Sequence, residues 1–133
     1  LMIANRTLSK AKQIVAQHQG AQIDCCSFEQ INHPDFDVII NATSAGLKGQ
    51  ALPISEQVID QDVSCYDMTY GTSLTPFLRV ASLRNAKKVI DGLGMLVGQA
   101  AVSFEIWRKV KPETTSVLAQ LRQEMRHESS NSL

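Results

Sequence analysis

Five short apolar runs, separated by stretches of helical periodicity, constrain this chain more than any other feature; they lie at residues 1–4, 21–26, 37–41, 63–67 and 87–90. Such alternation is the pattern of a mostly parallel sheet covered by helices. Asp37-Val38-Ile39-Ile40-Asn41 is the clearest run, β-branched throughout and bounded by polar residues, and it predicts a buried strand.

Between the runs, residues 7–18 carry Ala11, Ile14, Val15 and His18 on one helical face, with Gly20 as the stop. Residues 75–83 read as a helix with Pro76 in its first turn. From Gly92 onward the pattern is helical only. One helix is predicted to about Lys109, and Pro112 marks a break. Residues 113–126 form a second helix, with Val117, Leu118, Leu121 and Met125 on one face. The serine-rich end, residues 127–133, is expected to be disordered. The fold class is therefore α/β, with two C-terminal helices. The boundaries fall at 1–91 for the sheet domain, 92–126 for the helices and 127–133 for the tail. Opening on Leu1-Met2-Ile3-Ala4-Asn5, with no cap or turn before the first run, suggests a piece of a longer protein.

Asp91 to Ala101 concentrates the chemistry. Gly92 and Gly94 free the backbone where a helix should begin, so a ligand can approach main-chain N–H groups without meeting a Cβ atom. Leu96, Ala100, Phe104 and Trp107 follow at helical spacing, and Gly94, Gly98 and Ala101 make a small-residue stripe on which another backbone could pack. Gln99 sits among apolar neighbours, so its carboxamide either faces water or bonds something specific. The glycines do not match the dinucleotide fingerprint GxGxxG, because Gly98 comes one residue late and no strand and acid follow it.

Thirteen Lys plus Arg balance thirteen Asp plus Glu, so no overall field draws the chain to nucleic acid or to anionic lipid. No apolar run approaches the roughly 20 residues that span a bilayer. The three cysteines, Cys25, Cys26 and Cys65, lack metal-ligand spacing, and no zinc set is completed by His18, His33 or His127. Reduced thiols in a cytoplasmic protein, with no metal, are expected.

Any anion site must then be local, and the best candidate is Asn5-Arg6-Thr7-Leu8-Ser9-Lys10, where a strand ends and a helix starts. Thr7 is the N-cap candidate. Arg6, Lys10 and Lys12 crowd the positive end of the helix dipole, where each exposed cation is disfavoured by about 0.3–1 kcal/mol. A bound anion reverses that sign. At the end of the second strand of a doubly wound fold, an acid suits the ribose of NAD, whereas arginine accommodates the extra phosphate of NADP. Here the position holds Asn5 and Arg6.

Taken together, Asn5-Arg6-Thr7, Asn41-Ala42-Thr43-Ser44-Ala45-Gly46, Asp67-Met68-Thr69-Tyr70, Thr75-Pro76-Phe77-Leu78 and Asp91 to Ala101 resemble the shikimate dehydrogenase family in order and spacing. The resemblance covers nearly the whole chain. It implies a Rossmann-like parallel sheet, lacking its first strand, followed by the two helices. It also implies NADP as cofactor and reversible reduction of 3-dehydroshikimate to shikimate.

By that resemblance Asn5, Arg6, Thr7 and Lys10 form the adenosine-phosphate clamp, and Thr43 and Ser44 line the cofactor cleft. Met68 and Gly92 lie at the nicotinamide end. Tyr70 and Gln99 reach the substrate, and Met95 walls that pocket and is counted with the cofactor residues. The family's glycine-rich phosphate loop and its substrate domain, with the lysine and aspartate of proton transfer, find no match in these residues. No catalytic residue is assigned, and the chain alone is expected to be inactive. The absent strand would leave residues 1–4 and 37–41 with open edges, which should pair with each other, with a second copy or with added residues. Homo-oligomers follow as an expectation, with domain swapping as one route. The competing readings are an NAD-preferring shikimate/quinate dehydrogenase paralogue and a non-catalytic nucleotide-binding module.

Overall fold

The computed structural model describes residues 1–18, 20–33, 35–46 and 49–130. All five apolar runs become strands: β1 (Met2–Ala4), β2 (Asp24–Cys26), β3 (Val38–Asn41), β4 (Ser64–Asp67) and β5 (Lys88–Ile90). The second is half as long as its run, because the Ala21 carbonyl takes the Ile23 amide at 2.9 Å and folds those residues into a tight turn. The helices are α1 (Leu8–Gln17), α2 (Pro76–Leu83), α3 (Leu93–Arg108) and α4 (Thr115–Ser130). Thus α4 continues past Arg126, through residues expected to be disordered, and residues 131–133 lie outside the described part.

The strands form two parallel sheets, β1-β2 and β3-β4-β5. In a doubly wound sheet of order 3-2-1-4-5-6, this is the arrangement with the first strand left out. Of the three expected partners, direct pairing of β1 with β3 does not form; among the described residues each keeps one partner and one open edge. That gap corrects the expectation of a buried β3. Val38 is 54% and Ile40 61% exposed, because apolar strand residues are buried only where a layer covers them.

The core belongs to the larger sheet. Val58, Ile59, Val63, Cys65, Phe77, Leu78 and Ala81 pack together, with Ile31, Ile39, Leu52, Ile54 and Val89 against them. Pro76 fits the first turn of α2, where no intrahelical N–H bond is needed, and the Thr75 side chain caps that turn by accepting from the Leu78 amide at 3.3 Å. α3 ends on Lys109 in the left-handed conformation, φ 58°. No described helix is long and apolar enough to cross a membrane.

Candidate functional site

The C-terminal ends of β3 and β4 meet in a buried polar cluster. Asn41 and Asp67 are register partners, 2% and 0% exposed. Asn41 Nδ2 donates to Asp67 Oδ2 at 3.0 Å, the Thr75 hydroxyl donates to the same oxygen at 2.6 Å, and the Thr69 amide donates to Oδ1 at 2.9 Å. On the other side, Asn41 Oδ1 accepts from both the amide and the hydroxyl of Thr43, at 3.0 and 2.8 Å. Thr43 Oγ1 in turn accepts from the Ala45 amide at 3.2 Å. Every buried side-chain polar atom among the described residues has a partner, as the energetics of burial require.

A third segment joins these two loops through backbone. The Gly92 amide donates to the Thr69 carbonyl at 3.2 Å, and a Cβ on Gly92 would fall 2.0 Å from the Met68 carbonyl oxygen. Only glycine allows that approach. Asp91 anchors the start of α3 by accepting from the Leu93 amide at 3.1 Å, and both of its carboxylate oxygens are held by the Arg122 guanidinium of α4. Those bonds raise the Arg122 pKa above its ordinary value.

The structure thus gathers Thr43, Met68 and Gly92 around one cluster, with Ser44 and Tyr70 on the same loops. Met95 and Gln99 follow on α3, both exposed, so the Gln99 carboxamide faces outward. Gly94 and Gly98 have open space where a Cβ would stand, so nothing described packs on the small-residue stripe.

Asn5, Arg6, Thr7 and Lys10 form a separate group on the smaller sheet. Asn5 Oδ1 accepts from the Thr7 amide at 3.2 Å. Thr7 occupies the N-cap position of α1, but its side chain makes no capping bond. Arg6 and Lys10 are exposed, no acid lies in the first turn, and neither side chain has an ion-pair partner among the described residues. No ladder connects this group to the Thr43 group.

A cavity of about 390 Å³ opens elsewhere, between the loop of Thr72 and Ser73, the end of β5, and Asp91, Arg122 and Arg126. None of the site residues expected from the sequence lines it. Among the described residues no cluster of His, Cys, Asp and Glu could hold a metal.

Sequence reasoning placed Asn41, Asp67, Thr75 and Asp91 in its motifs without giving them a role, and it missed Arg122. The signal for the first three was a polar residue ending each apolar run and a Thr-Pro helix start. Nothing local signals Arg122, which reaches its partner 31 residues away.

Residues 1–51 match the family described as shikimate / quinate 5-dehydrogenase, and residues 92–122 match the shikimate 5'-dehydrogenase C-terminal domain. The shikimate dehydrogenase (NADP(+)) of Colwellia psychrerythraea is 51% identical over 122 residues, which is 92% of this chain and 44% of that protein. This chain belongs to the shikimate dehydrogenase family. It spans about half the length of the curated family relatives it matches, 44% and 45% for two of them. Among solved structures, an Ael1 enzyme from Pseudomonas putida superposes with a TM-score of 0.83 at 38% identity, over 91% of this chain and 45% of that one. A shikimate dehydrogenase solved in complex with NADP+ gives 0.69 at 28%, over 93% and 46%. The first family match takes in Asn5, Arg6, Thr7, Lys10, Thr43 and Ser44, and the second takes in Gly92, Met95 and Gln99.

Proposed function

We propose that this chain builds the NADP-binding part of a shikimate dehydrogenase, an enzyme that reversibly reduces 3-dehydroshikimate to shikimate. The observation that carries this reading is the pair of uncompensated cations, Arg6 and Lys10, at an acid-free helix start in a chain 51% identical to an NADP(+) enzyme. The residues present fit the cofactor. Arg6 supplies a planar fork for a 2′-phosphate, Lys10 adds charge one turn along, and Asn5 fixes the bend between strand and helix. At the other group, the buried Gly92 backbone lies directly against Met68, which holds the start of α3 to the loop assigned to the nicotinamide end. When bound, NADPH supplies the hydride.

Proton transfer to the substrate needs a positioned acid, and every described lysine is exposed while the Asp67 carboxylate is occupied by three donors. The proposal therefore assigns the chain binding and orientation, with substrate contacts from Tyr70 and Gln99, and leaves turnover to residues outside it. The unbridged cysteines suit a reducing compartment, the cytoplasm. The apolar exposed face of α3, where Trp107 is 78% exposed, favours association of copies, which sedimentation at high concentration detects as species heavier than a monomer.

Titration with NADP+ and NAD+ tests the cofactor assignment. The chain should prefer NADP+, and Arg6→Gln should lower that preference by about tenfold, as for loss of one charge-assisted contact. Equal affinity for the two dinucleotides overturns the reading and favours an NAD-preferring paralogue. Steady-state turnover of shikimate by the chain alone, near that of an intact enzyme, overturns the division of labour.

A further inference from the structure

The buried cluster at the ends of β3 and β4 carries an inference that deepens the cofactor reading and rests on it for its ligand. We infer that Asp67, held in place by Thr75, is a positioning residue that sets both cofactor-side loops at once. Its carboxylate is fully buried and faces no cation among the described residues, being bonded by the neutral donors Asn41, Thr69 and Thr75. A buried carboxyl group is a costly way to join two strands that apolar side chains could join. What it adds is direction.

Each donor comes from a different segment. Asn41 ends β3 and, through its own Oδ1, fixes Thr43, whose hydroxyl fixes Ala45. Thr69 lies between Met68 and Tyr70, and its carbonyl receives the Gly92 amide. Thr75 is shared: its hydroxyl oxygen donates to Asp67 and accepts from Leu78, so the start of α2 determines where the Asp67 oxygen stands. A displacement of that oxygen must therefore move Thr43 and Thr69 together. With Asp67 enclosed, its action on a ligand is indirect, through the loops it holds.

The chain and its Asp67→Asn, Thr75→Val and Thr75→Ser variants provide the test, read by backbone amide exchange at Thr43, Ala45 and Thr69 and by titration with NADP+ and NAD+. Asparagine at 67 cannot accept from all three donors, because one carboxylate oxygen becomes an amide that donates. Valine at 75 keeps the shape and removes the hydroxyl. Both should speed exchange at Thr43 and Thr69 and weaken NADP+ and NAD+ alike by about tenfold. The ratio between the two dinucleotides should stay as in the parent, since Arg6 and Lys10 lie on the other sheet. Thr75→Ser should restore both readouts. A folded Thr75→Val chain with parental exchange and parental affinities overturns the inference, and Thr75→Val decides it if Asp67→Asn does not fold. Should the parent bind neither dinucleotide, the cofactor reading fails by itself; the exchange arm then decides the positioning role, faster exchange at Thr43 and Thr69 supporting it and unchanged exchange sinking it.

Discussion

The unit of β1, α1 and β2 and the unit of β3, β4, β5 and α2 are built from the same strand and helix pattern, yet they solve it differently. The larger unit buries seven side chains in one cluster and caps α2 with Thr75. In the smaller unit Ala11 is the one buried residue of α1, the helix has no side-chain cap, and two cations stand at its positive end. The difference teaches where stability and binding are separated in this chain. One unit has a packed core and a capped helix, although β3 keeps an open edge. The other carries an uncompensated charge pattern that a bound anion would complete, the sort of local conflict expected at a functional position.

The sharpest way to break this comparison is to remove comparable apolar bulk from each unit. Leu78 is fully buried, so Leu78→Ala should cost about 3 kcal/mol, the transfer term plus the cavity left behind. Ile14 is 41% exposed on α1, and Ile14→Ala should cost less than about 1 kcal/mol. Urea unfolding with an unchanged slope reads both. Equal costs would mean that the smaller unit is as tightly packed as the larger, and the contrast would fall.

A smaller effect is expected where α4 is tied to the larger unit. The Arg122 side chain is 38% exposed and that of Asp91 13%, so solvent screens the pair in part. Arg122→Gln should cost about 0.5–1 kcal/mol, less in 1 M salt, with the change in amide exchange confined to the start of α3 and to α4. Loosening of α1 and β2 in this variant would show that the two units are mechanically coupled.

Much of this fold was legible because apolar runs and helix caps are local signals. Each of the five runs contains a strand, and Thr75-Pro76 placed the start of α2. What escaped was relational. The exposure of Val38 and Ile40 depends on which layer covers that face of β3, and a single run carries no information on what packs over it. The hold of Asp67 on Asn41 joins residues 26 apart, and that of Arg122 on Asp91 residues 31 apart. Of the expected site residues, the Thr43, Met68 and Gly92 set shares one cluster, a convergence that sequence spacing alone does not contain. That Asn5, Arg6, Thr7 and Lys10 stand together where a strand passes into a helix was readable from the local pattern, whereas their joint role was implied by the family resemblance alone.

Acid should separate helix starts of the two kinds. Glu113 accepts from the amides of Thr115 and Ser116 and from the Ser116 hydroxyl, at 2.5, 2.8 and 2.5 Å, and so caps α4; these bonds hold its pKa down to about 2 from an ordinary 4.5. Because the folded value is the lower one, the cap's contribution is complete above about pH 4.5 and is lost as pH falls towards 2. The protection of the Thr115 and Ser116 amides, exchange measured against the intrinsic rate at each pH, should therefore fall across that window, and Glu113→Gln should bring the same fraying to neutral pH. The start of α1 has no acidic residue in its first turn to protonate, so its exchange should not follow this titration. If both helix starts loosen together, with Glu113→Gln silent, acid acts on the fold as a whole, and capping does not distinguish α4 from α1.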